Sequence, residues 1–180
     1  MFSKLLALAA SASALVGAVP SFQTPMVTCS LTQSASVSHA LEAGYYTVYN
    51  GARGHDRLAS FNPIAPVVVL PGEVPEAYVT WKVTPVAGTE SEYHIMNVGT
   101  GSGAGLDDDV IITTKGFGDF VTIEPLNDGG YRIHAHVPGD HRVWVWHTCE
   151  PDQGLSRVHT DPIFGVPEQT WYFHPSSYRQ

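Results

Sequence analysis

The sequence has few charged residues, and few of those are basic. Asp, Glu, Lys and Arg make up 14% of the 180 residues, and nine basic residues stand against 17 acidic ones, for a formal net charge of −8. Binding to nucleic acid or to an anionic membrane requires a basic surface, and this chain has too few cations to form one. The composition therefore argues against both kinds of partner.

Long apolar runs are absent except at the N-terminus. Residues 1–4 form a short basic start, residues 5–19 a nearly uncharged apolar run, and residues 16–18 a small-residue cleavage site. This order is typical of a secretory signal peptide, and the run is too short for a confident membrane span. We therefore predict a signal peptide over residues 1–18, a Ser- and Thr-rich extension over 19–43 and a secreted, extracellular folded domain over 44–180.

Cysteine is also scarce. The chain contains Cys29 and Cys149 and no others. In an oxidising compartment these two can pair in a single disulfide, which would tie the extension to the end of the chain, or both can stay free. The sequence leaves the two states open, with the disulfide as the prediction.

Motifs for catalysis or metal binding are missing as well. There is no Gly-x-Ser-x-Gly nucleophile motif, and Asp107, Asp108 and Asp109 lack the spacing of a calcium loop. His134 and His136 lie on one face of a predicted strand, which leaves a zinc site as a weak alternative to simple solvent exposure. We predict a protein that is not an enzyme and has no cofactor and no metal.

What the chain does have is glycine, proline and an internal repeat. Its 17 Gly and 13 Pro favour turns over helices. Three segments share an opening Tyr-x-Val/Ile motif, at Tyr46, Tyr93 and Tyr131, and three later segments end in proline, at Pro85, Pro125 and Pro175. Alternation of this kind places the Tyr and the aliphatic residue on one face of a strand.

Three repeats that each begin and end with a strand predict an all-β, β-trefoil fold. One such repeat cannot bury its own apolar face, whereas three closed around a pseudo-threefold axis can, and closure removes exposed sheet edges. We expect Trp81 and Trp171 in the core. Residues 50–66 are predicted to form a long irregular loop, and Gly99–Gly105 a flexible hairpin tip.

Several of these segments resemble the fungal β-trefoil serine protease inhibitors of the cospin type. The similarity lies in GYYTVYN (residues 44–50), His55-Asp56-Arg57, Asn62-Pro63, VVVLP (67–71) and TWKV (80–83), and it returns in FGVPEQTWYF (164–173). It covers about half of the chain. Two departures are a longer spacer between Arg57 and Asn62, and Ile64 where that family usually has Lys.

The resemblance implies a reversible, substrate-like inhibitor of trypsin-like serine proteases, and we expect the protein to be a monomer. In such a protein a stiff exposed loop enters the protease cleft, and Arg57 would pair with the carboxylate at the base of the primary pocket. Leu58 would face the leaving side, Asn62 would brace the loop, and Asp56 would lie beside the arginine. Arg53 is the nearest competitor for the role.

Two other functions stay open. Gln169-Thr170-Trp171 matches the Gln-x-Trp signature of ricin-type lectin trefoils, which predicts binding to glycans. The other repeats lack the Gln, so Trp171 also fits a purely structural role. Inhibition of cysteine proteases through a different loop is the third hypothesis, because related fungal trefoils act in that way.

Overall fold

The computed structural model describes residues 40–54, 56–137, 139–140, 143–149 and 155–178. The predicted signal peptide and nearly all of the extension lie outside these residues. Within the described ranges no helix is long and apolar enough to cross a membrane. The elements, in chain order, are β1 (Gly44–Asn50), β2 (Arg57–Ala59), β3 (Val68–Leu70), α1 (Glu76–Val79), β4 (Thr80–Pro85), β5 (Glu92–Asn97), β6 (Ser102–Asp107), β7 (Val110–Lys115), β8 (Phe120–Pro125), β9 (Tyr131–Ala135), β10 (Trp144–Thr148), β11 (Ser156–Pro162), a 3-10 turn (Pro167–Gln169) and β12 (Trp171–Pro175).

Six strands close into a barrel. Strand β1 pairs with β4, β4 with β5, β5 with β8, β8 with β9, β9 with β12, and β12 with β1, all antiparallel. The other six strands form the hairpins β2–β3, β6–β7 and β10–β11, and β11 pairs with both β3 and β7. A closed barrel capped by three hairpins, with four strands per repeat, is a β-trefoil. The predicted fold is confirmed.

The repeated motif fills the core as expected. Its aliphatic members are buried on the opening strands β1, β5 and β9 at Val48, Ile95 and Ile133. Trp81 and Trp171 are fully buried, and their indole N–H groups donate to backbone carbonyls of cap strands, at 2.9 and 3.2 Å. A buried indole needs such an acceptor, so each Trp ties the barrel to the hairpin cap.

Local predictions were wrong where short strands depend on distant partners. Strand β2 lies inside the segment predicted as a long loop, β11 was not predicted, and β6 covers most of the predicted flexible hairpin tip. Strand β6 contains Gly103 because a Cβ at that position would lie 2.0 Å from the Phe117 carbonyl group. The glycines therefore permit close backbone packing. From composition alone, the same glycines had been interpreted as a sign of flexibility.

Candidate functional site

The three repeats meet at three seams, each formed by the closing strand of one repeat and the opening strand of the next. We call these the β4/β5, β8/β9 and β12/β1 seams. In each seam one register position brings a residue of the closing strand opposite the residue that lies two positions after the Val or Ile of the Tyr-x-Val/Ile motif on the opening strand. The pairs are Trp81 with Asn97, Val121 with Ala135, and Trp171 with Asn50.

The asparagines close two of the seams. Asn97 Nδ2 donates to the Tyr78 carbonyl at 2.8 Å, and Asn50 Nδ2 donates to the Glu168 carbonyl at 2.9 Å. Both acceptors lie on the short helical turn that precedes the closing strand. Ala135 has no side-chain donor, so the third seam lacks both this bond and the volume of a Trp.

A cleft of about 720 Å³ lies at this third, β8/β9 seam. A smaller space continues inward from it, past Val121 and Ala135 to Ile111 and Trp146. The cleft is within the size range of small-molecule sites. Its described lining residues are Leu106, Asp108, Asp119, Phe120, Ala135, His136, Val137 and Asp140.

The segment before β8 is held in place by the glycine-rich strand β6. The Gly103 N–H donates to the Gly116 carbonyl at 2.8 Å, and the Asp119 N–H donates to the Ala104 carbonyl at 2.9 Å. Asp119 Oδ2 in turn accepts the Leu106 N–H at 2.8 Å. The backbone thus fixes the position of the Asp119 carboxylate at the cleft wall.

An aromatic side chain lies next to that carboxylate. Phe120 is 40% exposed, and its ring centroid is 4.5 Å from that of His136 at an interplanar angle of 47°. His136 Nε2 lies 3.1 Å from Thr122 Oγ1. At the far side, Asp140 accepts the Trp144 indole N–H at 3.0 Å. The cleft therefore combines an apolar ring face with oriented carboxylates.

Beyond the cleft, ionic contacts join strands β8 and β9 of this seam. Glu124 Oε2 lies 3.1 Å from Arg132 Nη1 and 2.8 Å from His134 Nε2. Burial acts to raise the pKa of Glu124, but the hydrogen bond to His134 and the charges of His134 and Arg132 outweigh it, so the pKa lies below its ordinary value. His134, considered above as a zinc ligand, is instead a partner of this carboxylate.

Of the four residues predicted to bind a protease, Asn62 is on an exposed loop, whereas Arg57 and Leu58 lie in strand β2. Arg57 is half-buried in β2, pairs with Tyr49 and Leu70, and its guanidinium donates to the Gly72 carbonyl. Leu58 is fully buried, which conflicts with the expected contact on the leaving side. Asp56 is half-buried just before the strand, and its neighbour His55 lies outside the described residues.

The exposed loop of this repeat comes later, at residues 61–66. Buried Thr113 holds it from below: its hydroxyl donates to the Asn62 carbonyl at 2.8 Å, and its N–H donates to the Ala65 carbonyl at 2.9 Å. The loop is thus braced at the Asn62 carbonyl by Thr113. Ile64 at its tip is 64% exposed and has φ of 70°, a strained conformation for a β-branched residue.

Gln169 of the Gln-x-Trp signature has a structural role. It is 1% exposed, its Nε2 donates to the Pro162 carbonyl at 2.7 Å, and its Oε1 accepts the Phe164 N–H at 2.8 Å. Trp171 is in the core. Gln169 therefore holds the 162–165 loop in place. Neither Gln169 nor Trp171 is among the residues that line the cleft at the β8/β9 seam.

Among the described residues Cys149 forms no disulfide, and the pKa of its thiol is raised by burial and by the nearby charges of Asp161 and Asp109. Its predicted partner Cys29 lies outside the described residues, so the structure does not show the disulfide. The described part of the chain contains no group of three His, Cys, Asp or Glu side chains arranged to hold a metal ion.

The sequence did not point to Asp119, Phe120 or Ala135 as site residues, and it indicated His136 only as a possible metal ligand. The available signal was a departure from the repeat. Alignment of the three closing strands shows Val121 where the others have Trp, and alignment of the opening strands shows Ala135 where the others have Asn.

No protein-family model matches the sequence, and no curated protein matches it. Solved structures do. The designed threefold-symmetric protein ThreeFoil aligns with a TM-score of 0.60 and 17% identity, over 72% of this chain and 97% of that one. The Rhizoctonia solani agglutinin aligns at 0.62 and 18%, over 77% and 99%.

A third similar structure is the Polyporus squamosus lectin bound to a human-type influenza-binding epitope. It aligns with a TM-score of 0.58 and 21% identity, over 75% of this chain and 50% of that one. All three identities are below 25%, so these similarities establish the β-trefoil fold and not an activity. A specific relation to protease inhibitors has no support among them.

Proposed function

We propose that this protein is a carbohydrate-binding β-trefoil that holds its ligand in the cleft at the β8/β9 seam. The observation that carries the proposal is the exposed Phe120 ring beside the fixed Asp119 carboxylate in a cleft of about 720 Å³. The names of two structural neighbours, an agglutinin and a lectin, support the same class of function.

The chemistry of the cleft suits a sugar. A pyranose has an apolar face of C–H groups, which packs on an aromatic ring, and a rim of hydroxyls, which donate to carboxylates. Hydrogen bonds from hydroxyls to an ionised carboxylate are among the strong ones. The Leu106 N–H holds the Asp119 carboxylate, and the Ala104 carbonyl accepts the Asp119 backbone N–H. Because the Asp119 side chain is already oriented by these contacts, little side-chain entropy is lost when a ligand binds.

A glycan array followed by calorimetry with the best ligand tests the proposal. We expect binding to the wild-type domain and a loss on the order of tenfold or more in Phe120→Ala. Asp119→Asn keeps an oxygen for the Leu106 N–H but removes the charge, and should weaken binding similarly. Arg57→Ala, on another repeat, is the matched control and should bind as wild type. Absence of binding to any glycan, or equal affinity in all variants, contradicts the proposal.

A second candidate function has one specific observation in its favour. The 61–66 loop is exposed at its tip, is braced by Thr113 and contains Pro63 and Pro66 on either side of Ile64-Ala65, which are features that a substrate-like protease inhibitor requires. Ile64 at the tip would suit a protease with an apolar primary pocket, rather than the trypsin-like enzyme that Arg57 implies.

A panel of serine and cysteine proteases separates these possibilities. If the 61–66 loop binds, Ile64→Asp abolishes inhibition of an apolar-pocket protease while Arg57→Ala leaves it intact. If trypsin is inhibited and Arg57→Ala removes that inhibition, the original prediction stands instead. No inhibition of any protease in the panel removes this function.

A further inference from the structure

A row of four rings crosses the outer face of strands β5 and β8 and the end of β9. His94 on β5 is paired in register with Phe120 on β8, so their side chains are neighbours on the same face of the sheet. Phe117 lies against His94 with ring centroids 5.5 Å apart, and His136 lies against Phe120 with centroids 4.5 Å apart. We call these four side chains the ring row. His136 and Phe120 line the cleft, and the row continues out of it to His94 and Phe117.

Phe117, at the outer end of the row, is 64% exposed, yet its backbone is fixed. Gly116 and Gly118 on either side have φ of 83° and 69°, a region that costs glycine little. The Gly116 carbonyl accepts the Gly103 N–H at 2.8 Å, and a Cβ on Gly118 would lie 2.0 Å from the Ala104 carbonyl oxygen. The exposed ring is therefore carried by a backbone that strand β6 holds in place.

The ring row is a contiguous surface that extends the cleft. A single exposed apolar side chain needs no explanation, whereas several adjoining ones mark a binding surface. The measured centroid separations of 4.5 and 5.5 Å are comparable with the width of one pyranose ring, so the row extends over more than one sugar. A ligand held in the cleft can thus continue along the row without leaving the ring faces.

The charges at the cleft restrict the class of sugar. Asp108 and Asp119 lie on the cleft wall, and its described lining includes no Lys or Arg. Carboxylates accept hydrogen bonds from sugar hydroxyls and repel an anionic ligand. The cleft therefore favours a neutral sugar over a uronic acid or a sulfated sugar. Further along the row the ring faces suit the apolar C–H face of another sugar.

We infer that the ligand is a neutral, linear oligosaccharide, with one sugar ring on Phe120 in the cleft and the following part of the chain along His94 to Phe117. This inference rests on the proposed function, because it names the class and the minimum length of the sugar for the same site. Phe117 is then a specificity-determining residue that favours a chain over a single sugar. Once the first sugar is bound, the next is already held close to the outer ring, so the two contacts reinforce each other.

Calorimetry with chains of increasing length is the first test. The probes are glucose, N-acetylglucosamine and mannose, and their β-1,4-linked di-, tri- and tetrasaccharides, whose extended chains can follow a row of rings. For at least one of these sugars we expect the affinity to rise about tenfold from the monosaccharide to the trisaccharide. The β-1,4-linked trisaccharide of mannuronic acid, which has a carboxylate on each ring, should show no binding.

Two variants of similar exposure locate the gain. Phe117→Ala removes the outer ring and should reduce the gain from monosaccharide to trisaccharide to about threefold or less. Phe117→Trp keeps a ring at that position and should retain the gain. Phe164→Ala is the matched control, because Phe164 is 62% exposed on the loop after β11, and it should show the gain of the wild type. Since both phenylalanines are largely exposed, both variants should fold, which thermal unfolding verifies.

Nuclear magnetic resonance of the imidazole C–H groups reports where the chain lies. The signals of His94 and His136 are assigned from their loss in His94→Gln and His136→Gln. We expect the monosaccharide to shift mainly the His136 signals, and the trisaccharide to shift those of His94 as well. His174 on β12, whose ring lies beside Tyr49, serves as the reference and should not move.

The outcomes separate this inference from the proposed function. The inference is wrong if the trisaccharide binds no tighter than the monosaccharide, if Phe117→Ala keeps the gain of Phe164→Ala, or if the His94 signals do not move. It is also wrong if the mannuronic acid trisaccharide binds as tightly as the best neutral one, or if none of the probes binds. In each case the sugar-binding function still stands if another glycan on the array binds in a manner that depends on Phe120. If no glycan binds at all, both proposals fail.

Discussion

The β4/β5 and β12/β1 seams differ from the β8/β9 seam in two side chains each, and that difference produces a cleft. In the first two, a Trp opposite an Asn fills the layer between barrel and cap, and the Asn holds the preceding helical turn through a backbone carbonyl. In the third, Val121 and Ala135 occupy the same register and leave space. A symmetric fold thus acquires one distinct surface by loss of volume.

The β8/β9 seam is held by other means. The 116–119 segment is fastened to strand β6 through backbone hydrogen bonds, and Glu124 contacts Arg132 and His134 across the strands. Among the described residues, no ion pair crosses either of the other two seams. The β8/β9 seam also contributes Val121, Ile123 and Ile133 to the core, so it differs from the closed seams in having less buried volume at one register position and an additional ionic contact on its outer face.

The largest expected effect comes from opening a closed seam. Trp81→Val removes a fully buried indole and leaves the Leu58 carbonyl without its donor, so the free energy of unfolding should fall by about 3 kcal/mol or more. Urea denaturation measures the change. Val121→Ala at the open seam is the matched comparison and should cost roughly 1 to 2 kcal/mol. Equal losses at the two positions would mean that the seams do not differ in their dependence on burial.

A smaller effect on stability, with loss of binding, should follow from Gly103→Ala. The new Cβ would lie 2.0 Å from the Phe117 carbonyl group, so the 116–119 segment must move, at a cost of about 1–3 kcal/mol. Since that segment carries Asp119 and leads to Phe120, glycan affinity should fall with it. Gly44→Ala, which would meet only the Tyr46 ring at 3.2 Å, is the control. Unchanged glycan affinity in Gly103→Ala would show that the segment does not form the site.

The smallest effect concerns pH. The pKa of Glu124 is lower in the folded state than its ordinary 4.5, so its contribution to stability is present above that pH and is lost as the pH falls through the folded value. Glu124→Gln should therefore lose less stability than wild type on going from pH 7 to pH 3. Because the side chain is 47% exposed, the difference should stay below about 1 kcal/mol.

Thermal unfolding at the two pH values, compared with Glu73→Gln as an exposed acidic control, measures this difference. A wild-type and a Glu124→Gln protein that lose the same stability would show that the ionic contacts do not support the open seam.

The Tyr-x-Val/Ile motif and the closing prolines were enough to predict the barrel strands. In any strand with one buried face the apolar side chains recur at every second residue, so this pattern is visible in the sequence. The cap was less predictable. Strands β2 and β3 have three residues each, and β11 is identified by its pairing with β3 and β7, which are distant in sequence. Arg57 was predicted to lie in a loop for the same reason: the residues next to it in the chain do not indicate that it pairs with Tyr49 and Leu70 in a strand.

Periodicity, side-chain size and charge are properties of the chain, so the threefold pattern, the buried Trp81 and Trp171 and the excess of acidic residues could all be predicted from the amino-acid sequence. Where a cavity opens is set only when the chain folds. That depends on which side chains come face to face across strands 14 residues apart, such as Val121 and Ala135, and on how closely the glycines of β6 let another segment approach. Volume missing from an interior is a property of neighbours in space, and no single stretch of sequence contains it.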